Sequence, residues 1–198
     1  MKLSANAGAV IKEKRKRPLL HTFKQVWMVA LSVWLVYFSS AVIYPSMMAN
    51  TSKIDPQFPL PDVYWKPVFG LLVFPAFALL GNLLTFFVNK PGPQFLWIAC
   101  LLRAVLSIPF FLLCNFRADT RSLSVLITND YAFLAGGALF GMTHGYMGAL
   151  GMMYGPERVE IENASSAGMF MSVALSLGIL CGTNFSMVVK FFVENAGG

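Results

Sequence analysis

Charge is scarce in this sequence, and scarcest where the chain is most apolar. Charged residues make up 12% of the chain against 57% hydrophobic ones, whereas a soluble domain carries about 25% charge. The nine carboxylates are Glu13, Asp55, Asp62, Asp119, Asp130, Glu157, Glu160, Glu162 and Glu194, and none falls inside a long apolar run. That excludes an intramembrane aspartyl dyad and proton coupling through a buried carboxylate of this chain. Two histidines and three cysteines offer no set with metal-ligand spacing, and there is no phosphate-binding glycine loop. No catalytic residue, metal or cofactor is therefore expected, and the chain does not read as an enzyme. Cys100, Cys114 and Cys181 are odd in number and lie within or at the edge of apolar runs. They read as small buried hydrophobes rather than as disulfide partners. A cleavable secretory signal is also not expected, because the first apolar run starts late and is too long for an h-region. It would act as a signal anchor.

What the chain does have is five apolar stretches, 25–48, 67–89, 94–115, 131–154 and 167–189. A helix needs roughly 20 residues to cross a hydrocarbon core of about 30 Å. Four stretches carry no charged side chain, and the third carries only Arg103. The expected fold is all-α, a polytopic transmembrane bundle of five spans over residues 25–194, preceded by a basic cytoplasmic segment at 1–24. The run KEKRKR at 12–17 accounts for much of the net charge of +6. Ahead of five spans it reads as an anchor to anionic lipid, so the bilayer is the expected partner and nucleic acid is not. With the N-terminus inside, Lys90 and Arg158 join the basic N-terminal segment on the inner face, while Lys53, Lys66, Arg117 and Arg121 lie outside. This orientation puts the C-terminus on the extracellular or luminal side, with the plasma membrane favoured over an internal one. Asn50-Thr51-Ser52 is then a glycosylation sequon in an outer loop.

Proline and glycine punctuate these stretches. Pro56, Pro59, Pro61 and Pro67 argue against helix in the loop at 49–66. Asn89-Lys90-Pro91-Gly92-Pro93 is short enough to force spans two and three into an antiparallel hairpin. Asn129-Asp130 suits a helix cap, and residues 155–160 read as the loop between spans four and five. Pro45, Pro75 and Pro109 either bend helices or free backbone carbonyls along a polar pathway.

Inside the spans, Arg103 must face protein or water, since a guanidinium in lipid costs several kcal/mol. It either locks helices together through carbonyls or a carboxylate, or serves a polar cavity directly. Gly137, Gly141 and Gly145 recur every fourth residue, as do Ala174, Gly178, Gly182 and Ser186. Such faces are helix-packing surfaces first. His144 and Asn184 lie among these small residues and read as interhelical hydrogen-bonding groups or ligand contacts.

Several segments together resemble the C-terminal half of the equilibrative nucleoside transporters, over roughly residues 20–194. They are Leu112-Leu113-Cys114-Asn115 after Arg103 and Pro109, His144-Gly145-Tyr146, Tyr154-Gly155-Pro156-Glu157-Arg158-Val159, and Ala167-Gly168-Met169 opening a glycine-bearing last span. The resemblance implies one half of a major-facilitator-like transporter, whose last five of eleven helices run from N-in to C-out. It implies facilitated diffusion of nucleosides, or nucleobases, through a cavity between two helical halves. Asn82, Arg103, His144 and Asn184 become the cavity candidates, and Gly155, Pro156, Glu157 and Arg158 the inner hinge. The sequence departs from the family where an Asp-x-x-Gly-Arg pattern contacts the ribose: Ala78 and Asn82 stand at the Asp and Arg positions. Alternating access needs two bundles, so an N-terminal six-helix half or another chain is the expected partner. The second reading is a non-transporting membrane interaction protein or truncated transporter relative.

Overall fold

The computed structural model describes residues 18–116, 121 and 124–195. The basic run at 12–17, with Lys2, Glu13, Arg117 and Asp119, lies outside the described residues. Helix α1 spans Pro18–Ile43, so helix begins before residue 25, within the basic segment placed ahead of the first span. Proline is well suited to a first helical position, where its missing N–H would have no partner. A short α2, Ser46–Ala49, follows Pro45.

The next helical segment is continuous through three geometries: α3 (Asp62–Trp65), a π-helical stretch (Lys66–Leu72) and α4 (Val73–Leu84). Pro67 therefore does not exclude helix, contrary to the sequence expectation. The wider π bonding shifts the hydrogen-bond ladder past a residue that cannot donate. Helix α5 covers Leu96–Leu113 with Pro109 inside it. Arg121 caps its far end, donating to the carbonyls of Leu112 at 2.7 Å and Cys114 at 2.8 Å. Helix α6 runs Asp130–Glu157, and a 3₁₀ turn at Ile161–Asn163 leads into α7, Ala164–Asn195. The connection expected at 155–160 thus shortens to 158–160, because helix continues through Pro156 to Glu157.

The described residues form an all-helical bundle. Four of its segments, Leu19–Ala49, Asp62–Leu84, Leu96–Leu113 and Ile161–Asn195, are long and apolar enough to cross a membrane. Helix α6 is long enough, but its seven glycines, Thr143 and His144 dilute its hydropathy.

Helix α1 is the hub, burying Val26, Val29, Val33 and Val36 at helical spacing and packing against α5, α6 and above all α7. The approach to α7 is close. A Cβ on Gly178 would sit 2.8 Å from the Trp34 carbonyl, and one on Gly182 would run into that of Phe38. The second close pair is α4 with α6, where Gly141 and Gly145 meet the backbone of Phe74 and Ala78. By contrast α4 and α5 pack little against each other, so the expected hairpin of spans two and three is not a packed pair. Helix ends at Leu84, earlier than residue 89, and α6 holds the link from 85 to 95. Tyr154 Oη donates to the carbonyl of Asn89 at 2.7 Å, and Tyr146 Oη bonds the carbonyls of Val88 and Lys90.

At the opposite end Asn129 caps α6 as expected, its Oδ1 accepting from Tyr131 N at 2.9 Å and Ala132 N at 3.4 Å. Buried Asp130 reaches further. Its carboxylate accepts from Ile54 N at 3.1 Å and Asp55 N at 2.8 Å, tying the proline-rich loop to the bundle. Asp130→Ala should cost about 3 kcal/mol or more, since it loses two hydrogen bonds to a charged group at about 1.5–3 each. Hydrogen exchange should show the amides of residues 54 and 55 losing protection, with α1 and α7 unchanged.

Cys100 and Cys114 are buried, but Cys181 is exposed. The expectation of a buried residue is corrected there: an evenly apolar helix does not announce which face it buries.

Candidate polar site at the Arg103 network

Arg103 is 7% exposed and sits where α1, α5 and α6 converge. All five of its N–H groups find acceptors. Nε donates to Thr143 Oγ1 at 3.0 Å. Nη1 donates to Ser39 Oγ at 2.7 Å and Val36 O at 3.4 Å. Nη2 donates to Ser40 Oγ at 3.0 Å and Phe140 O at 3.1 Å. The guanidinium also lies 4.1 Å from the centre of the Phe140 ring, a cation–π contact. Every acceptor is neutral, two carbonyls and three hydroxyls. Of the two roles open in the sequence, this is the geometry of a lock: a planar five-donor fork spans three helices where an ammonium could not.

Ser40 links this lock to His144. Its Oγ lies 2.8 Å from His144 Nδ1, and the imidazole sits between Tyr37, edge-on at 5.0 Å between ring centres, and Phe74 at 5.1 Å. Beside Arg103, α5 and α6 leave an open groove of about 380 Å³, lined by apolar side chains such as Leu102, Leu106 and Leu139, with Ser107 and Thr143 as polar members.

Arg103 and His144 are therefore brought together through one hydroxyl, whereas Asn82 and Asn184 are not part of the cluster. Both are exposed, and Asn184 Nδ2 is spent on its own helix, donating to Leu180 O at 2.7 Å. Gly137, Gly141, Gly145, Gly178 and Gly182 are all buried at helix contacts. In the hinge segment, Gly155 is buried against Met171, Pro156 and Glu157 finish α6, and Arg158 caps it. Asn50 is exposed at the end of α2, with Nδ2 donating to Ser46 O at 2.7 Å.

Ser39, Ser40 and Thr143 did not stand out in the sequence. The available signal was the adjacent hydroxyl pair in an apolar span, facing a lone arginine that lacked a carboxylate.

The sequence pattern of the nucleoside transporter family matches residues 5–191. Among individual proteins, equilibrative nucleoside transporter 1 of Rattus norvegicus is 31% identical over 90% of this chain and 39% of its own length. The Homo sapiens equilibrative nucleoside transporter 1 is 29% identical over 86% of this chain and 37% of its own length. Nucleoside transporter 2 of Crithidia fasciculata is 26% identical over 84% of this chain and 31% of its own length. The chain thus spans about two fifths of the relatives it matches most strongly, while the family pattern runs along nearly all of it. This chain belongs to the nucleoside transporter family.

Proposed function

We propose that the chain forms one helical half of a transporter that moves nucleosides, or nucleobases, across a membrane by facilitated diffusion. The observation that carries this reading is the family match along nearly the whole chain. The Arg103 network supports it as a polar lock at the meeting point of three helices. In this reading α6 is the fifth span and the basic 1–24 segment faces the cytoplasm. The C-terminus is then extracellular or luminal, in the plasma membrane, and the five-helix domain over 25–194 is the major-facilitator-like C-terminal half. It works against a six-helix N-terminal half or another chain, without chemistry on the substrate. His144 faces the solute path, Asn82 and Asn184 meet the solute or the partner half from exposed faces, and residues 155–158 flex between α6 and α7. Asn50 carries the outer glycan.

Saturable uptake of radiolabelled uridine and adenosine in transport-deficient cells tests this reading. The chain is expressed alone and with the portion of the rat relative outside the matched stretch. Uptake only in the second arrangement is the expected result. No uptake in either, with both chains at the surface, would favour the second reading, a membrane interaction protein that keeps the fold without transport. Ala78 and Asn82, in place of a charged pair, are the observation behind that alternative.

A further inference from the structure

The hydrogen bonds around Ser40 fix the proton on His144. Ser40 Oγ lies 2.7 Å from Val36 O, 2.8 Å from His144 Nδ1 and 3.0 Å from Arg103 Nη2. A carbonyl only accepts, a guanidinium only donates, and a hydroxyl has one proton and two lone pairs. The Ser40 proton therefore goes to Val36 O and one lone pair to Arg103. The remaining lone pair must receive a proton from His144 Nδ1. The reverse assignment would set two bare oxygens 2.7 Å apart. An imidazolium would add a second positive charge beside Arg103, whose donors all meet neutral groups, and burial penalises such a pair. The ring is thus a neutral imidazole with its proton on Nδ1 and a lone pair on Nε2.

That lone pair is unclaimed. Nε2 makes no hydrogen bond among the described residues, yet no buried side-chain nitrogen or oxygen is left without a partner. Nε2 is therefore not fully enclosed by the described residues. Tyr37 and Phe74 flank the ring and hold it in place. An acceptor held in one tautomer and one orientation, with no partner of its own, is built to receive a donor from elsewhere.

We propose that Ser40 is a positioning residue that holds His144 as the Nδ1–H tautomer, and that His144 Nε2 accepts a hydrogen bond from a hydroxyl or N–H group of the nucleoside, with Arg103 acting only through Ser40. This rests on the transport reading above, and its test separates the two. His21→Gln leaves His144 as the only histidine of the two in the chain. Nitrogen-15 histidine spectra of that variant in lipid nanodiscs should show a protonated Nδ1 and a bare Nε2. Ser40→Ala should give a mixture of tautomers. In the transporting assembly, uridine should shift the Nε2 signal. His144→Phe, which keeps an aromatic ring between Tyr37 and Phe74, should raise the uridine KM about tenfold, the effect of one lost hydrogen bond, with a smaller change in maximal rate. His144→Asn, which keeps an acceptor, should retain most of the affinity. A protonated Nε2 would overturn the tautomer assignment. A fixed tautomer whose Nε2 ignores uridine, in an assembly that transports it, would overturn the contact and leave the transport reading standing. Absence of uptake in the unmutated assembly would overturn the transport reading and the contact together, with the tautomer still decided by the spectra alone.

Discussion

Gly145→Ala should separate α4 from α6 and cost the bundle about 3 kcal/mol, whereas Gly168→Ala should leave it as stable or slightly more so. Both glycines lie inside helices, and in a helix interior alanine is favoured over glycine by about 1 kcal/mol. At Gly168 nothing lies within 4 Å of an added Cβ, so the propensity gain is kept. At Gly145 the added Cβ would lie 3.0 Å from Ala78 Cα and 2.7 Å from its carbonyl carbon, and closer still to the oxygen. The obstacle is helix backbone, which cannot rotate aside as a side chain can. Overpacking of this kind costs about 1–3 kcal/mol and occasionally more, and here it outweighs the propensity gain. Gly81 makes the reciprocal contact, a Cβ there running into Met142 O and lying 2.8 Å from Tyr146 N, so the crossing has no slack on either side. Thermal unfolding of the two variants in detergent is the measurement. Equal midpoints would mean that the α4–α6 crossing is looser than described.

The second large effect concerns Arg103, where the conservative exchange should be the damaging one. Arg103→Lys keeps the charge in the same place but offers three donors on a single nitrogen where five are used. Losing two charge-assisted hydrogen bonds, at about 1.5–3 kcal/mol each, predicts a loss of 3 kcal/mol or more. Arg103→Met removes both the charge and its desolvation. The three hydroxyls it abandons already bond their own helices: Ser39 and Ser40 to Val36 O at 3.1 and 2.7 Å, and Thr143 to Leu139 O at 2.9 Å. None is orphaned, so Arg103→Met should stay within about 1.5 kcal/mol of the native chain, as similar-volume apolar exchanges do. Denaturation in mixed micelles orders the three proteins. A methionine variant weaker than the lysine one would show that the charge itself holds the helices.

What the sequence made legible were features whose cause is local. The cap at Asn129 needs only the next few residues, and the every-fourth-residue glycines declare a close face by themselves. The fork's partners were hidden for the opposite reason. Ser39 and Ser40 are 64 and 63 residues from Arg103, and serines that bond their own carbonyls recur through the chain, at Ser32 and Ser107 among others. Only the register of α1 against α5 tells one kind from the other. Asn82, Asn184 and Cys181 were ambiguous because helices apolar all round carry no amphipathic stripe to assign a face. Pro67 misled because the rule against proline in a helix interior assumes α bonding, and the ladder there is π. The role of Asp130 was invisible because its partners are the amides of a distant loop, which no side-chain pattern marks.

The glycine content of α6 bears on how the chain is made. In the proposed five-span arrangement, the helix whose Gly141 and Gly145 meet the backbone of α4 is also the one whose own side chains attract lipid least. Partitioning into the bilayer during synthesis depends on summed side-chain hydrophobicity, so α6 is a weak passenger that settles only where α1 and α4 already offer it a groove. Ribosomes halted soon after Glu157 should therefore hold α6 loosely, and release of α7 should secure it. A substitution that spoils the groove on α4 would then show first as a nascent-chain topology error, before any finished protein exists to be unstable.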